Sequence, residues 1–343
     1  MAIRILQLNE LARSLKKIIL NFLKISVAAA LIYYLISTGQ LDFSQLAVVF
    51  EKPILGATIF TFWLVGPCTF GAIRWRLLLN AIGYRLSIVR AIQLQLTGFF
   101  FNTAMPGAVG GDLVKVLYVI RDNKEKGKTP AIMSIFLDRL IGLQGLFLIG
   151  LFTAILNIDQ FINHPSLLII VASLAGVSIA ILLFFIAALY NYKDNRDPFR
   201  RILRSEIPGF SALRKIYENL RTYRDHKLLI FKCLGISIIL QCLGLLVFLF
   251  ITTAIINPDP SKYLTIASIF PAGMFTIALP IAPGGLGVGH VAFDRLFDLI
   301  GLQQGASIFN VFLLSQMALN LIGSIPYLSL KKNESEADFI GAK

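Results

Sequence analysis

Apolar residues along this chain gather into runs of about twenty, separated by short polar stretches rich in Lys and Arg. A run of that length crosses the ~30 Å hydrocarbon core of a bilayer as one helix. Six stretches read as full spans: 19–37, 54–73, 132–156, 166–190, 228–256 and 306–330. Two more, about 87–120 and 263–303, are equally apolar but interrupted by proline and glycine. The pattern predicts an all-α polytopic integral membrane protein. It has six full spans and two Pro/Gly-broken inverted hairpins, about eight membrane segments in all.

The interruptions are specific. The first contains Asn102, Pro106, Gly110, Gly111 and Asp112, and the second contains Pro280, Pro283, Gly284, Gly285, Gly287 and Gly289. Proline lacks the N–H that a helix interior needs, and glycine leaves the helix readily. In a bilayer, backbone groups freed in this way persist only where protein buries them or where they line a cavity. Two such breaks in one chain point to an internal site of the kind found in transporters.

Charge gives the chain a direction. Lys and Arg crowd residues 1–18, 74–90 and 121–130, the loop 191–227 (ten of them) and the tail from Lys331. The remaining connections, 38–53, 157–165 and 257–263, hold only Lys52 and Lys262. The positive-inside bias then puts both termini and the loop 191–227 in the cytoplasm of a multi-pass inner-membrane protein. The first broken segment enters from the cytoplasm and returns there; the second enters and leaves on the opposite side. This is the layout of an inverted repeat around a site near the midplane. Residues 1–330 read as one polytopic domain, with 331–343 a disordered cytoplasmic tail. Two basic segments, 1–18 and 209–226, have helical apolar stripes suited to lying on an anionic leaflet.

Composition agrees with a membrane class. Hydrophobic residues are 56% of the 343 and charged residues 15%, against about 25% in a soluble domain. The net charge of +13 sits in the loops, so topology accounts for it and nucleic acid is not expected as a partner. Cys68, Cys233 and Cys242 lie in apolar runs without metal spacing. Nucleophile-elbow, zinc-protease and P-loop signatures are absent, so no catalytic residue, metal or cofactor is expected.

Ionisable residues within membrane segments default to function. Here they are Asp112, Lys115, Asp138, Arg139, Asp294, Arg295 and Asp298. Asp112 and Lys115 share a helix face three residues apart, and they follow the first break directly. Asp138 and Arg139 are neighbours and must point apart. That leaves Arg139 able to reach Asp112, at the cytoplasmic bases of their helices. Arg139, with a planar fork, suits phosphate best.

These residues together resemble a known family. Asn102, Pro106, Gly110-Gly111-Asp112 and Lys115 resemble the N…P…GGD…[RK] motif of the membrane domain of lysylphosphatidylglycerol synthases. Asp138-Arg139 is similar to that family's acid–Arg pair, and Pro283-Gly284-Gly285-Leu286-Gly287 to its C-terminal glycine-rich motif. The resemblance covers about 10–330. Asp138 stands where the family commonly has Glu, and His290 and Asp294 occupy a region where an acid often follows the second motif. The resemblance implies a flippase-like domain without the synthases' aminoacyl-transfer domain, hence lipid translocation rather than lipid aminoacylation.

The expected function is a lipid translocase moving a phospholipid or a polyprenyl-phosphate-linked lipid between leaflets. Its polar cavity would be formed by the two broken hairpins. Arg139 and Lys115 would hold phosphate, Asp112 would orient them, and the glycine breaks would let backbone approach the head group. Two other classes share the same residues: an integral-membrane lipid-modifying transferase, and a non-transporting partner of a lipid-synthesis complex. A lipid-modifying enzyme is the protein partner that either of the lipid-handling readings would suggest.

Overall fold

The computed structural model describes residues 47–104, 110–190, 192, 197–203, 210–278 and 287–329. The expected first span at 19–37, the amphipathic start, the tail, and Pro106, Pro283, Gly284 and Gly285 lie outside the described residues. The regular structure among those described is helical throughout. Ten helices carry the argument: α1 (Pro53–Ala81), α2 (Ile88–Ala104), α3 (Gly110–Asp122), α4 (Lys128–Leu156), α5 (Pro165–Leu189), α6 (Phe210–Arg221), α7 (Lys227–Ile255), α8 (Lys262–Ala278), α9 (Val288–Leu299) and α10 (Gly305–Ile322).

Helices α1, α4, α5, α7 and α10 are long and apolar enough to cross a membrane, and they match five of the six expected spans. The first of them departs from expectation. Apolarity ends near Ile73, but the helix continues to Ala81 and carries Arg74 inside, 7% exposed. Arg74 therefore belongs to the bundle interior and not to a cytoplasmic connection. Helix α1 also widens into a π-helical turn over Leu64–Phe70 around Pro67, which lacks an N–H for the regular ladder.

Helix α4 is the hub, packing on α1, α3, α5, α7 and α8. Its small residues permit this. A Cβ on Gly145 would meet Ser237 on α7, and one on Gly150 would meet Pro271 on α8. Both broken segments fold as helical hairpins, each tied at its base by a basic residue. Arg90 at the start of α2 pairs with Asp122 at the end of α3, at 2.9 Å. Lys262 at the start of α8 donates to the Ile300 carbonyl just past α9, at 2.9 Å. Tyr84 bonds the Gly127 carbonyl on the first hairpin's face, and Asn157 at the end of α4 bonds Thr265 at the start of α8 on the other. The hairpins thus open from opposite faces of the bundle.

They are packed differently. The second hairpin buries an aromatic cluster, with Phe270 and Phe293 packed among Phe248, Phe309 and Phe312 of α7 and α10. The first is assembled around glycines and charge. Helix α6 also differs from expectation. Part of its apolar stripe lies against protein: Tyr217 and Leu220 are buried, and only Leu213 among the described stripe residues is well exposed. Tyr217 lies within 3.2 Å of the Ala187 carbonyl and 3.1 Å of Asp197, which Arg221 also binds. Burial first, then Asp197, pushes the Tyr217 hydroxyl up to about 12, so it stays a proton donor.

Candidate functional site

The site begins with a close crossing of two helices. On α2, Gln95, Gly98 and Asn102 recur at i, i+3 and i+7 and so share one face. On α3, Gly111 lies directly against Gly98: a Cβ there would collide with the Gly98 carbonyl and fall 2.7 Å from Asn102 Oδ1. That same Oδ1 accepts the Gly111 N–H at 2.8 Å. Asn102 therefore satisfies one of the orphan donors at the start of α3 from a different helix. Asn102 and Gly111 hold the hairpin together; the space beside Gly111 belongs to Gly98 and is not open to a head group.

With the backbones so close, Asp112 in the first turn of α3 is delivered to the interior. A carboxylate there is favoured by the helix N-terminus. Its Oδ1 lies 2.8 Å from Lys115 Nζ, and its Oδ2 lies 2.6 Å from Arg139 Nη2 and 2.8 Å from Arg139 Nε. Arg139 thus addresses one oxygen with two donors. Lys115 is enclosed: it also donates to Gln95 Oε1 at 3.1 Å and sits 4.9 Å from the centre of the Trp75 ring. Gln95 in turn donates to the Pro67 carbonyl at 3.3 Å, in the π-helical turn. One polar chain runs from Pro67 through Gln95, Lys115 and Asp112 to Arg139.

Asp138, one residue before Arg139, points the other way. It takes Arg74 in a two-pronged pair, Nε to Oδ1 at 2.7 Å and Nη2 to Oδ2 at 2.9 Å. Arg74 Nη1 continues to Ser237 on α7. Adjacent residues on a helix diverge by about 100°, so α4 serves two clusters from one dipeptide. Asp138 is consequently engaged by a buried arginine on α1.

The described cluster holds the cations Arg74, Lys115 and Arg139 and the carboxylates Asp112 and Asp138. Exposure is uneven. The side chain of Lys115 is 7% exposed and that of Asp112 13%, while Arg139 is 37% exposed. Of the three cations named, Arg139 is the one that reaches the surface. Outside it, Ile132 and Phe136 lie seven and three residues before Arg139 on α4, and Leu113 and Leu117 lie on α3; all four are exposed. Asp112 is ten residues from Asp122 and Arg139 eleven from Lys128. At 1.5 Å per residue both sit about 15 Å along their helices from those ends, rather than at the helix bases where the sequence pattern places them.

Of the second motif, Gly287 is among the described residues. Gly287 has φ of 76° and begins α9, a backbone state that glycine reaches without strain. Gly110 is buried at the start of α3. His290 is buried, with Nε2 3.3 Å from Asn310 Oδ1 and Nδ1 without a partner among the described residues. Asp294, Arg295 and Asp298 lie on the exposed face of α9. No group of three or more His, Cys, Asp or Glu suited to a metal occurs among the described residues.

Sequence reasoning passed over Arg74, Gln95 and Trp75. Gln95 carried a signal, its helical spacing with Gly98 and Asn102. Arg74 carried none, because it follows directly on an apolar run and reads as a boundary.

The family described as "Lysylphosphatidylglycerol synthase TM region" matches residues 21–323. A "UPF0104 membrane protein" of Pyrococcus horikoshii is 21% identical over 283 residues, covering 76% of this chain and 83% of that one. Another from Methanothermobacter thermautotrophicus is 25% identical over 317 residues, 84% of this chain and 85% of that one. No solved structure matches.

Proposed function

The chain belongs to the lysylphosphatidylglycerol synthase TM region family, and on that premise we propose that it is a lipid translocase for a phosphate-bearing lipid. The phosphate group of a phospholipid or polyprenyl-phosphate-linked lipid engages Arg139. The observation that carries this reading is the Arg139 guanidinium, held by Asp112 and 37% exposed beside the exposed apolar Leu113, Leu117, Ile132 and Phe136. An ionisable side chain kept within an apolar segment marks a substrate path. Arg is suited to the task by its fork, and Asp112 fixes that fork from behind. Lys115 supports Asp112 and does not itself meet the lipid. Leu113, Leu117, Ile132 and Phe136 give the lipid tails an apolar track beside the head group.

Two hairpins opening from opposite faces are the arrangement that alternating access from either side requires. Movement is downhill or ion-coupled. The test is reconstitution in liposomes, with a fluorescent phospholipid bleached from outside. Wild-type protein is expected to expose both leaflets to bleaching. Arg139→Gln should slow this at least tenfold, and Arg139→Lys should recover only part of it. Bleaching limited to the outer leaflet with wild-type protein would reject translocation, and a chemically altered lipid would reassign the site to a transferase.

The basic face, carrying α6 and the starts of α2, α4 and α7, is proposed to be cytoplasmic, in the inner membrane, with both termini on that side. In a cysteine-free background, a cysteine at exposed Lys215 should react with an impermeant maleimide only after permeabilisation. One at exposed Ser261 should react in intact cells. The reverse pattern would invert the orientation.

A further inference from the structure

Helices α5 and α7 both pack on α4 rather than mainly on each other. Between them remains a crevice of about 240 Å³. Its inner wall is buried Ile141, Phe185 and Ile230, and its outer lips are exposed Leu182, Ile186 and Phe231. It therefore opens sideways, toward the surroundings of the spans, and lies on the α5 side of α4, apart from the Arg139 face. It is larger than the ~150 Å³ apolar cavity that takes up a benzene ring. Along α5 it runs from Tyr190 to Leu182, eight residues or about 12 Å, roughly 40% of the hydrocarbon thickness.

Its two ends differ in chemistry. At the basic-face end the rim carries the exposed Lys227, which begins α7, and Tyr190. At the inner end sits Gln144, 3% exposed, whose Nε2 donates to Ser178 at 2.9 Å. Gln144 Oε1 has no partner among the described residues, and Gln144 is the one polar side chain on the inner wall of the crevice. An apolar slot open to the bilayer, with one cation at its head-group end, matches one kind of occupant.

We propose that the crevice binds one hydrocarbon chain of an anionic phospholipid, with its phosphate or carboxylate at Lys227, as a resident lipid distinct from anything Arg139 handles. The chain lies between α5 and α7 and fills the gap that their separate packing on α4 leaves. Lys227 selects the head group by charge, and the apolar walls hold the chain without regard to head group.

Native mass spectrometry of delipidated protein, titrated with phosphatidylserine or phosphatidylcholine, tests this. Wild type is expected to take one phosphatidylserine more tightly than phosphatidylcholine, by about fivefold for one surface lysine. Lys227→Gln should abolish that preference and leave phosphatidylcholine binding unchanged. Leu182→Trp, at an exposed lip where the fold is not at risk, should block the slot and remove the tight adduct with either lipid. Arg139→Gln should keep it. Equal affinity of wild type for the two lipids, or an undiminished phosphatidylserine adduct in Leu182→Trp, would overturn the proposal. So would loss of that adduct in Arg139→Gln alone, which would place the lipid on the other face.

Discussion

Asp112→Asn is expected to lower the melting temperature of the purified protein sharply and to abolish lipid movement. The carboxylate is shared by Lys115 at 2.8 Å and Arg139 at 2.6 Å. Asparagine preserves the shape and removes the charge. Lys115, 5% exposed and enclosed by Gln95 and Trp75, has no route to water. Breaking a buried pair in this way costs about 3–5 kcal/mol. Arg139→Gln should behave differently. It leaves the Asp112–Lys115 pair intact and neutral, and the lost side chain was already a third exposed. Its stability cost should be about 1 kcal/mol, with lipid movement still lost. The double change Asp112→Asn, Lys115→Met removes both buried charges and should recover most of the stability without recovering transport. Thermal unfolding in detergent, run as a double-mutant cycle, separates these outcomes. A melting temperature for Asp112→Asn equal to wild type would sink the account of this cluster.

The second large effect is expected at Gly111. A single methyl group there falls on the Gly98 carbonyl, which is backbone and cannot turn aside. Gly111→Ala must therefore push α2 and α3 apart. It also displaces Asn102 from the Gly111 N–H, and it moves Asp112, the next residue, away from Arg139. Overpacking costs about 1–3 kcal/mol, and loss of the cap adds roughly 1 kcal/mol. Gly235→Ala in α7 is the control, because nothing lies within 4 Å of the added methyl. It should be neutral or slightly stabilising, as alanine is the better helix former. Equal melting temperatures for Gly111→Ala and Gly235→Ala would show that the crossing is looser than the geometry says. Because the collision is with backbone, loss of transport in Gly111→Ala should be accompanied by loss of stability, which a glycine merely lining a head-group path would not produce.

Much of the fold was legible because the bilayer imposes a coarse rule. A span needs length and apolarity, and five helices among the described residues meet that rule where the sequence predicted them. The helix pairs α2–α3 and α8–α9 lie on either side of the two Pro/Gly clusters, while the isolated Pro67 and Pro271 stay inside helices. Asp112 and Arg139 stood out because charge inside apolar sequence is rare. The limit of this reasoning shows at Arg74. Nothing local separates an arginine at the edge of a span from one inside it; α1 continues for eight residues past Ile73, and Asp138 of α4 receives it. Asp138 shows the same limit from the other side: its partner lies 64 residues earlier in the chain, on α1.

By itself, then, the sequence determined the class, the five spans among the described residues and the charged residues that stand out within them, because each follows from hydropathy or charge along one segment. Tertiary structure alone decided who meets whom. It gave Asn102 and Gly111 to the α2–α3 crossing, Lys115 to Gln95 and Trp75, Asp138 to Arg74, and the face of α6 to the bundle. The physical reason is that a one-dimensional pattern fixes the free energy of a segment against its solvent. The partner of a buried charge is set by how closely two helices approach, and that distance depends on the residues of both.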